Sequence, residues 1–314
     1  MSKILMYHSI GGGTLPEPGA HFYQVPLERF SKQLEYVAFV TGQEEGRVRG
    51  KGQIDRVKGQ GSRVKSEGMW QKELVTGHRL QVTGTNGVRP ASPAGRRSAF
   101  GRRLTRGPWS LVIGSEITIT FDDGLLDNYT KAFPLLKEFG IKAYFFVMPA
   151  KIGSAGYMSW EQLKELKANG MIIGSHGMTH KILTNLSVPE LRYELFDSKR
   201  ILEEKLGSPV NYFSIPRGFN RKKIIKLAKE AGYKKVFTSD WRDNDGYSCG
   251  RIAITAGWSD KRFVNLINNG FTLRDKFKHS LKKSAKGMLG ASGYDKLRTL
   301  ILKRDELKRL AVSD

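Results

Sequence analysis

Apolar and polar positions along this chain alternate with two periods. Over 117–121, Ile117, Ile119 and Phe121 alternate with Thr118 and Thr120, the period of two expected of a β-branched strand. Similar apolar runs at 3–10, 141–148, 171–174, 210–215, 235–239 and 251–254 read as further strands. Helical spacing fills the gaps between them. Leu27, Phe30, Leu34 and Val37 share one face of a helix over 26–40,. Tyr129, Phe133 and Leu136 suit a helix ending near Gly140, with Pro134 tolerated only in its first turn or as a kink,. Capping boxes, Ser159 with Gln162 and Ser187 with Glu190, open helices that stop at Gly170 and Gly207,. A helix over 221–231 ends at Gly232. Strand and helix alternate, so the sheet is parallel, either open or closed into a barrel. Chemistry in such folds sits at the C-terminal ends of the strands.

The pattern fails between 42 and 114. That stretch carries fifteen Lys and Arg against five Asp and Glu, many glycines and no apolar period. A near-repeat runs through it: Arg47-Val-Arg-Gly, Arg56-Val-Lys-Gly, Arg63-Val-Lys-Ser. Such a segment buries too little surface to offset its ordering entropy, and we read it as a disordered insertion. A nucleic-acid-binding arm is the functional alternative, but few aromatics (Trp70, Phe100, Trp109) are present to stack bases,. A translated DNA repeat is a third origin. The chain thus divides into 1–40, the first strand and helix; 41–115, the basic Gly/Arg-rich insertion; 116–270, the main part of the barrel; and 271–314, a basic helical tail. Because the insertion holds nearly half of the +23 formal charge, that charge says little about the remainder. No specific nucleic-acid partner is expected.

The tail reads as a solvated helix packed on the domain; attraction of its lysines to anionic lipid is the alternative, giving peripheral membrane association. The single cysteine, Cys249, excludes an intramolecular disulfide,. No secretory signal or membrane-spanning run is visible, so a cytoplasmic location is expected, at the inner membrane surface if the tail binds lipid. The loop at Gly11-Gly12-Gly13 lacks the Gly-Lys-Ser/Thr ending of a phosphate-binding loop,.

Candidate chemistry gathers after the strands. Asp122-Asp123-Gly124 follows the strand at 117–121, His176 and His180 follow 171–174, and Pro216-Arg217 follows 210–215. Two adjacent carboxylates can cap a helix, but a bound cation also accounts for them. Two histidines at i, i+4 can converge on one ion. With Asp123 they make a two-imidazole, one-carboxylate set that suits Zn²⁺ and also non-haem Fe(II). The second carboxylate, beside a metal-activated water, is placed to take its proton, which favours hydrolysis. A histidine acid would complete the reaction.

Thr120-Phe-Asp-Asp-Gly124, His176-Gly-Met-Thr-His180 and Phe213-Ser-Ile-Pro-Arg-Gly218 resemble the first three motifs of the polysaccharide deacetylases, carbohydrate esterase family 4, the NodB-homology domain. The resemblance covers 1–40 and 116 to about 256. It implies a distorted (β/α) barrel of about seven strands and removal of an acetyl group from an N-acetylhexosamine in a polysaccharide or its precursor. It implies Asp122 as general base, Asp123, His176 and His180 as ligands of a divalent metal, Zn²⁺ first with Co²⁺ or Ni²⁺ as alternatives, and the backbone N–H of Arg217 as an oxyanion donor. The family's C-terminal Leu-x-His motif is absent: the one histidine after His180 is His279, in the tail. Leu5-Met-Tyr-His8-Ser-Ile is similar to the circularly permuted exopolysaccharide deacetylases, which implies His8 as the acid. Arg217 stands where an aromatic often follows the proline, and Asp240-Trp241 is the candidate for the tryptophan of the acetyl pocket. A catalytically inactive barrel that binds carbohydrate or an anionic polymer is the alternative function.

Overall fold

The computed structural model describes residues 3–12, 20–41, 117–219 and 222–310. The chain divides into two units, 1–48 with 106–314, and 49–105. The expected insertion lies, from residue 42 to its end, outside the described residues.

Strand β1 (Lys3–Tyr7) runs parallel to β4 (Ile117–Phe121), residue for residue from Lys3 opposite Ile117 to Tyr7 opposite Phe121. Between them in sequence come β2 (Ser9–Ile10) and β3 (Gln24–Val25), a small parallel pair, and α1 (Leu27–Val40). The main sheet continues through β5 (Ala143–Val147), β6 (Ile172–Ser175), β7 (Tyr212–Ser214) and β8 (Lys235–Thr238), each parallel to the last. Two short strands, β9 (Ser248–Gly250) and β10 (Ile252–Ala253), complete the order β10-β1-β4-β5-β6-β7-β8-β9.

The two edges of this sheet are consecutive in sequence. β9 pairs with β8, β10 pairs with β1, and only Arg251 separates them. The backbone N–H of Arg251 still donates to Thr238 O, while that of Ile254 donates to Met6 O. One bent segment therefore leaves one edge and joins the other, closing the sheet into a barrel of seven staves, the seventh split at Arg251. β9 itself was not legible as a strand: Ser248-Cys-Gly has no apolar alternation, and pairing with β8 creates it.

The pleat sorts the strand side chains. Tyr144, Phe146, Ile172 and Phe237 form one buried cluster, with Ile4, Tyr212 and Cys249 packed against it. Their neighbours on the opposite face pack towards the helices: Phe121 stacks on Phe145 at 4.9 Å and meets Phe30 of α1 edge-on. Each such ring contributes about 1.5–3 kcal/mol on burial. Gly174 makes room for this interior, since a Cβ there would lie 2.5 Å from the Phe146 ring.

The helices follow their sequence signals, with two exceptions. Both capping boxes form, and Pro134 sits in the first turn of α2 (Phe133–Glu138). The first exception is the stretch before α2, where Asn128–Ala132 is a π-turn. The second is the helix expected over 187–207. It is split into α4 (Val188–Arg192), a π-turn (Tyr193–Asp197) and α5 (Ser198–Leu206). Helix α3 (Trp160–Ala168), α6 (Lys222–Glu230), α7 (Asp260–Asn269) and the long α8 (Leu273–Leu310) complete the chain.

Candidate metal centre

The strand ends deliver the motif residues to one end of the barrel. The Asp122 N–H extends the β4 ladder by donating to Tyr7 O at 2.9 Å, and the His176 N–H extends β6 by donating to Val147 O at 2.8 Å. The chain then turns sharply. Asp123, His180 and Arg217 have φ of 71°, 68° and 57°, and they are the non-glycine residues with positive φ among the described residues. Each left-handed residue costs on the order of 1–3 kcal/mol, a strain that clusters where function over-determines the backbone. Gly124 permits the turn after Asp123: a Cβ there would lie 2.9 Å from the Val147 side chain.

The turns bring Asp123, His176 and His180 together, their ligand atoms all within 4.8 Å of one another. The Nε2 atoms of His176 and His180 lie 3.4 and 3.3 Å from Asp123 Oδ1. That oxygen is buried and accepts no hydrogen bond. His176 Nδ1 lies 2.9 Å from Ser214 O. A carbonyl only accepts, so Nδ1 carries a proton and the other ring nitrogen, Nε2, is turned towards Asp123 as a metal-facing imidazole nitrogen would be; burial opposes the charged ring, but Asp122 and Asp123 outweigh it and raise its pKa. Two imidazole nitrogens and an orphaned carboxylate oxygen make a donor set suited to a divalent metal. Burial alone would raise the Asp123 carboxyl; His180, His176 and His8 outweigh it and hold the group well below the usual range.

Asp122 turns to Arg251 in the barrel interior, with its Oδ2 still 3.9 Å from the same His176 Nε2. Arg251 donates to it through both terminal nitrogens, Nη1 to Oδ1 at 2.7 Å and Nη2 to Oδ2 at 2.8 Å. Ser214 Oγ lies 3.3 Å from each carboxylate oxygen. Arg251 is 1% exposed and Asp122 2%. The guanidinium also donates to Thr238 O, Thr120 Oγ1 and Ser214 Oγ, and sits over the rings of Phe146 and Phe237. Burial raises the Asp122 carboxyl, but Arg251, then His176 and His8, hold it below the usual carboxylate range.

His8 occupies the gap between β1 and β2, its carbonyl held by the Asn128 amide at 2.7 Å. Its ring packs on Tyr23 with centroids 4.4 Å apart, and its buried Nδ1 has no hydrogen-bond partner. Burial lowers its pKa, against the opposing pull of Asp123 and Asp122. Arg217 lies directly after β7, in the turn Pro216–Gly218. Asp240 and Trp241 serve α8: Asp240 pairs with His279 at 2.8 Å and Lys283 at 3.3 Å, and Trp241 stacks on Phe271.

Three residues escaped sequence reasoning. Arg251 read only as the start of a strand, and Ser214 as one position within another. Glu194 lies on the Tyr193–Asp197 π-turn, 1% exposed. Its carboxylate accepts from the Met178 and Thr179 N–H groups at 2.6 and 3.0 Å and from the Thr179 hydroxyl. It thereby ties down the loop that carries both histidines. The one available signal was a Glu inside a helix that keeps its period only by adding a residue.

The polysaccharide deacetylase family profile matches residues 113–236, the stretch that holds both aspartates, both histidines and Arg217. This part of the chain is similar to that family. Among relatives, YxkH of Bacillus subtilis (strain 168) is 32% identical over 157 residues, 49% of this chain and 56% of its own length. A peptidoglycan-N-acetylglucosamine deacetylase of Bacillus cereus is 34% identical over 128 residues, 40% of this chain and 58% of its own length. The chain therefore spans a little over half the length of these relatives. The deacetylase PplD of Streptococcus pyogenes, solved with acetate, has a similar fold at 22% identity, with a TM-score of 0.56 over 85% of this chain and 98% of that one. IcaB from Ammonifex degensii gives 0.51 at 23% identity, over 84% and 94%. The fold is a NodB-like distorted barrel similar to theirs.

Proposed function

We propose that the chain is a metal-dependent carbohydrate N-deacetylase that hydrolyses the acetamide of an N-acetylhexosamine in a polysaccharide or its precursor. The observation that carries this reading is the pairing of an open donor set, Asp123, His176 and His180, with an ionised carboxylate, Asp122, clamped beside it by Arg251. Similarity to the polysaccharide deacetylase family over 113–236 and the acetyl-group chemistry in its relatives' names support it.

Asp123, His176 and His180 would hold the metal, Zn²⁺ as first choice with Co²⁺ or Ni²⁺ as alternatives. A divalent cation there supplies a water acidified towards neutrality and a Lewis acid for the acetamide carbonyl. Asp122 takes the proton of the attacking water; Arg251 keeps it ionised and fixes its plane. The Arg217 N–H stabilises the oxyanion as the carbonyl carbon becomes tetrahedral. His8 gives a proton to the departing amine nitrogen as the C–N bond breaks, leaving acetate and a free amino sugar.

The test is acetate release from N-acetylglucosamine oligomers by the full chain loaded with Zn²⁺ or Co²⁺. Asp122→Asn should abolish release with metal content unchanged, and His8→Ala should slow it with metal retained. Oligomer binding without acetate under either metal would instead make this an inactive, carbohydrate-binding barrel.

A further inference from the structure

Helix α8 packs on the protein inside out. Up to the break at Gly290 (φ 64°, ψ −178°), its inward side chains are polar. Asp275 receives Arg262 at 3.0 Å, His279 and Lys283 pair with Asp240, and Lys286 reaches Gly218 O at 3.3 Å. Leu273, Phe277, Leu281 and Met288 point outwards, 84%, 70%, 62% and 81% exposed. At about 100° per residue these four fall within an arc of roughly 80°. A helix resting on a globular core shows the reverse arrangement. Arg274 and Lys278 flank the apolar arc on one side and Lys276 on the other, all three exposed.

We propose that this face of α8 is a docking surface for an anionic lipid bilayer. Both halves of the face fit that partner: Leu, Phe and Met enter the acyl boundary while the flanking cations meet acidic headgroups. A second copy of the chain fits less well, because a two-fold contact across this face sets like charges against one another. Nucleic acid would engage the lysines but leaves the apolar arc exposed. No helix among the described residues is long and apolar enough to cross a membrane, so α8 lies along the surface. Its inner side rests on Gly218, after β7, and on Asp240, after β8. Docking therefore holds the strand-end face of the barrel, where the metal centre lies, alongside the bilayer. The proposal stands whether or not the deacetylase reading does.

The test is sedimentation of the full chain with phosphatidylcholine vesicles, with and without phosphatidylglycerol. The wild type should sediment only with the anionic vesicles. Phe277→Asp with Leu281→Asp should lower partitioning more than tenfold, and Lys278→Gln about fivefold, both with an unchanged melting temperature. Three results would overturn the proposal. One is a wild type that ignores both vesicle types, and another is a dimer that Phe277→Asp splits. The third is vesicle binding that survives the double aspartate variant and that duplex DNA competes away.

Discussion

Asp122 and Asp123 are neighbours in the chain and opposites in the fold. Both oxygens of Asp122 receive donors from Arg251, with Ser214 beside them, inside the barrel. Asp123 turns on a left-handed residue to the rim, where its buried Oδ1 accepts nothing and faces two imidazole nitrogens. Identical side chains thus meet opposite electrostatic demands. One is clamped by a fixed protein cation; the other faces two imidazoles across a donor set suited to a divalent metal. A single backbone turn between them separates the proposed proton acceptor from the proposed metal ligand.

The sharpest way to break the contrast is to remove the fixed cation. Arg251→Met leaves a buried, uncompensated carboxylate and should cost about 3–5 kcal/mol in denaturant unfolding. Arg251→Met combined with Asp122→Asn should recover much of that loss, because no charge is then stranded. Acid should act on the same pair. The folded-state pKa of Asp122 is depressed, so its contribution is complete above the unfolded value near about 3.9. It is lost as pH falls through the lower folded value. With chelator present, wild-type stability should fall over that acidic range. The double variant should lack this component; an identical acid profile would show that the pair is not coupled to folding.

Asp123→Asn acts at the other carboxylate. Asparagine tolerates the left-handed turn, but the depressed folded-state pKa of Asp123 means that its charge favours folding, so the metal-free variant should unfold somewhat earlier than the wild type. The larger difference should appear on adding Zn²⁺. Wild-type stability should rise by about 2.7 kcal/mol at a hundredfold excess over Kd, and the variant should show little rise. Equal stabilisation of both by Zn²⁺ would place the ion elsewhere.

Much of this contrast was readable in advance, and its limits are physical. Period-two runs and capping boxes located the staves and helices, and the two aspartates, two histidines and Arg217 stood after strands. What sequence could not supply was the partner of Asp122. Arg251 lies 129 residues away and meets it only because the sheet closes there, so no local period marks it. Glu194 was hidden for a related reason: a helical glutamate is ordinarily solvated, and only a π-turn aims this one inwards. For the tail, the lysines and leucines were visible, but the pattern does not say which face a helix turns to its neighbour. The boundaries 1–40, 41–115, 116–270 and 271–314 remain a proposal, and the insertion falls outside the described residues.

Glu194→Gln probes the rim from behind. Glutamine keeps one acceptor oxygen for the Met178 and Thr179 N–H groups but loses the charge that draws them in. The histidine loop should loosen, and Zn²⁺ affinity should fall about 10–100-fold, with Asp122 and Arg251 undisturbed. Competition with a chromophoric chelator reads this directly. Unchanged affinity would mean that the strand ends alone position the histidines.

Ser214→Ala should have the smallest effect and separates the two carboxylates most cleanly, because Ser214 serves both. Its hydroxyl lies against Asp122 and accepts from Arg251 Nη2 at 2.7 Å, while its backbone oxygen accepts from His176 Nδ1. Alanine removes only the first contact. Arg251 retains its two bonds to Asp122, so the cost should be about 1 kcal/mol. The orientation of His176 rests on the main chain, so Zn²⁺ affinity should match the wild type. A fall in metal affinity comparable to that of Glu194→Gln would show that the two aspartates are coupled through this serine, and their separation would have to be given up.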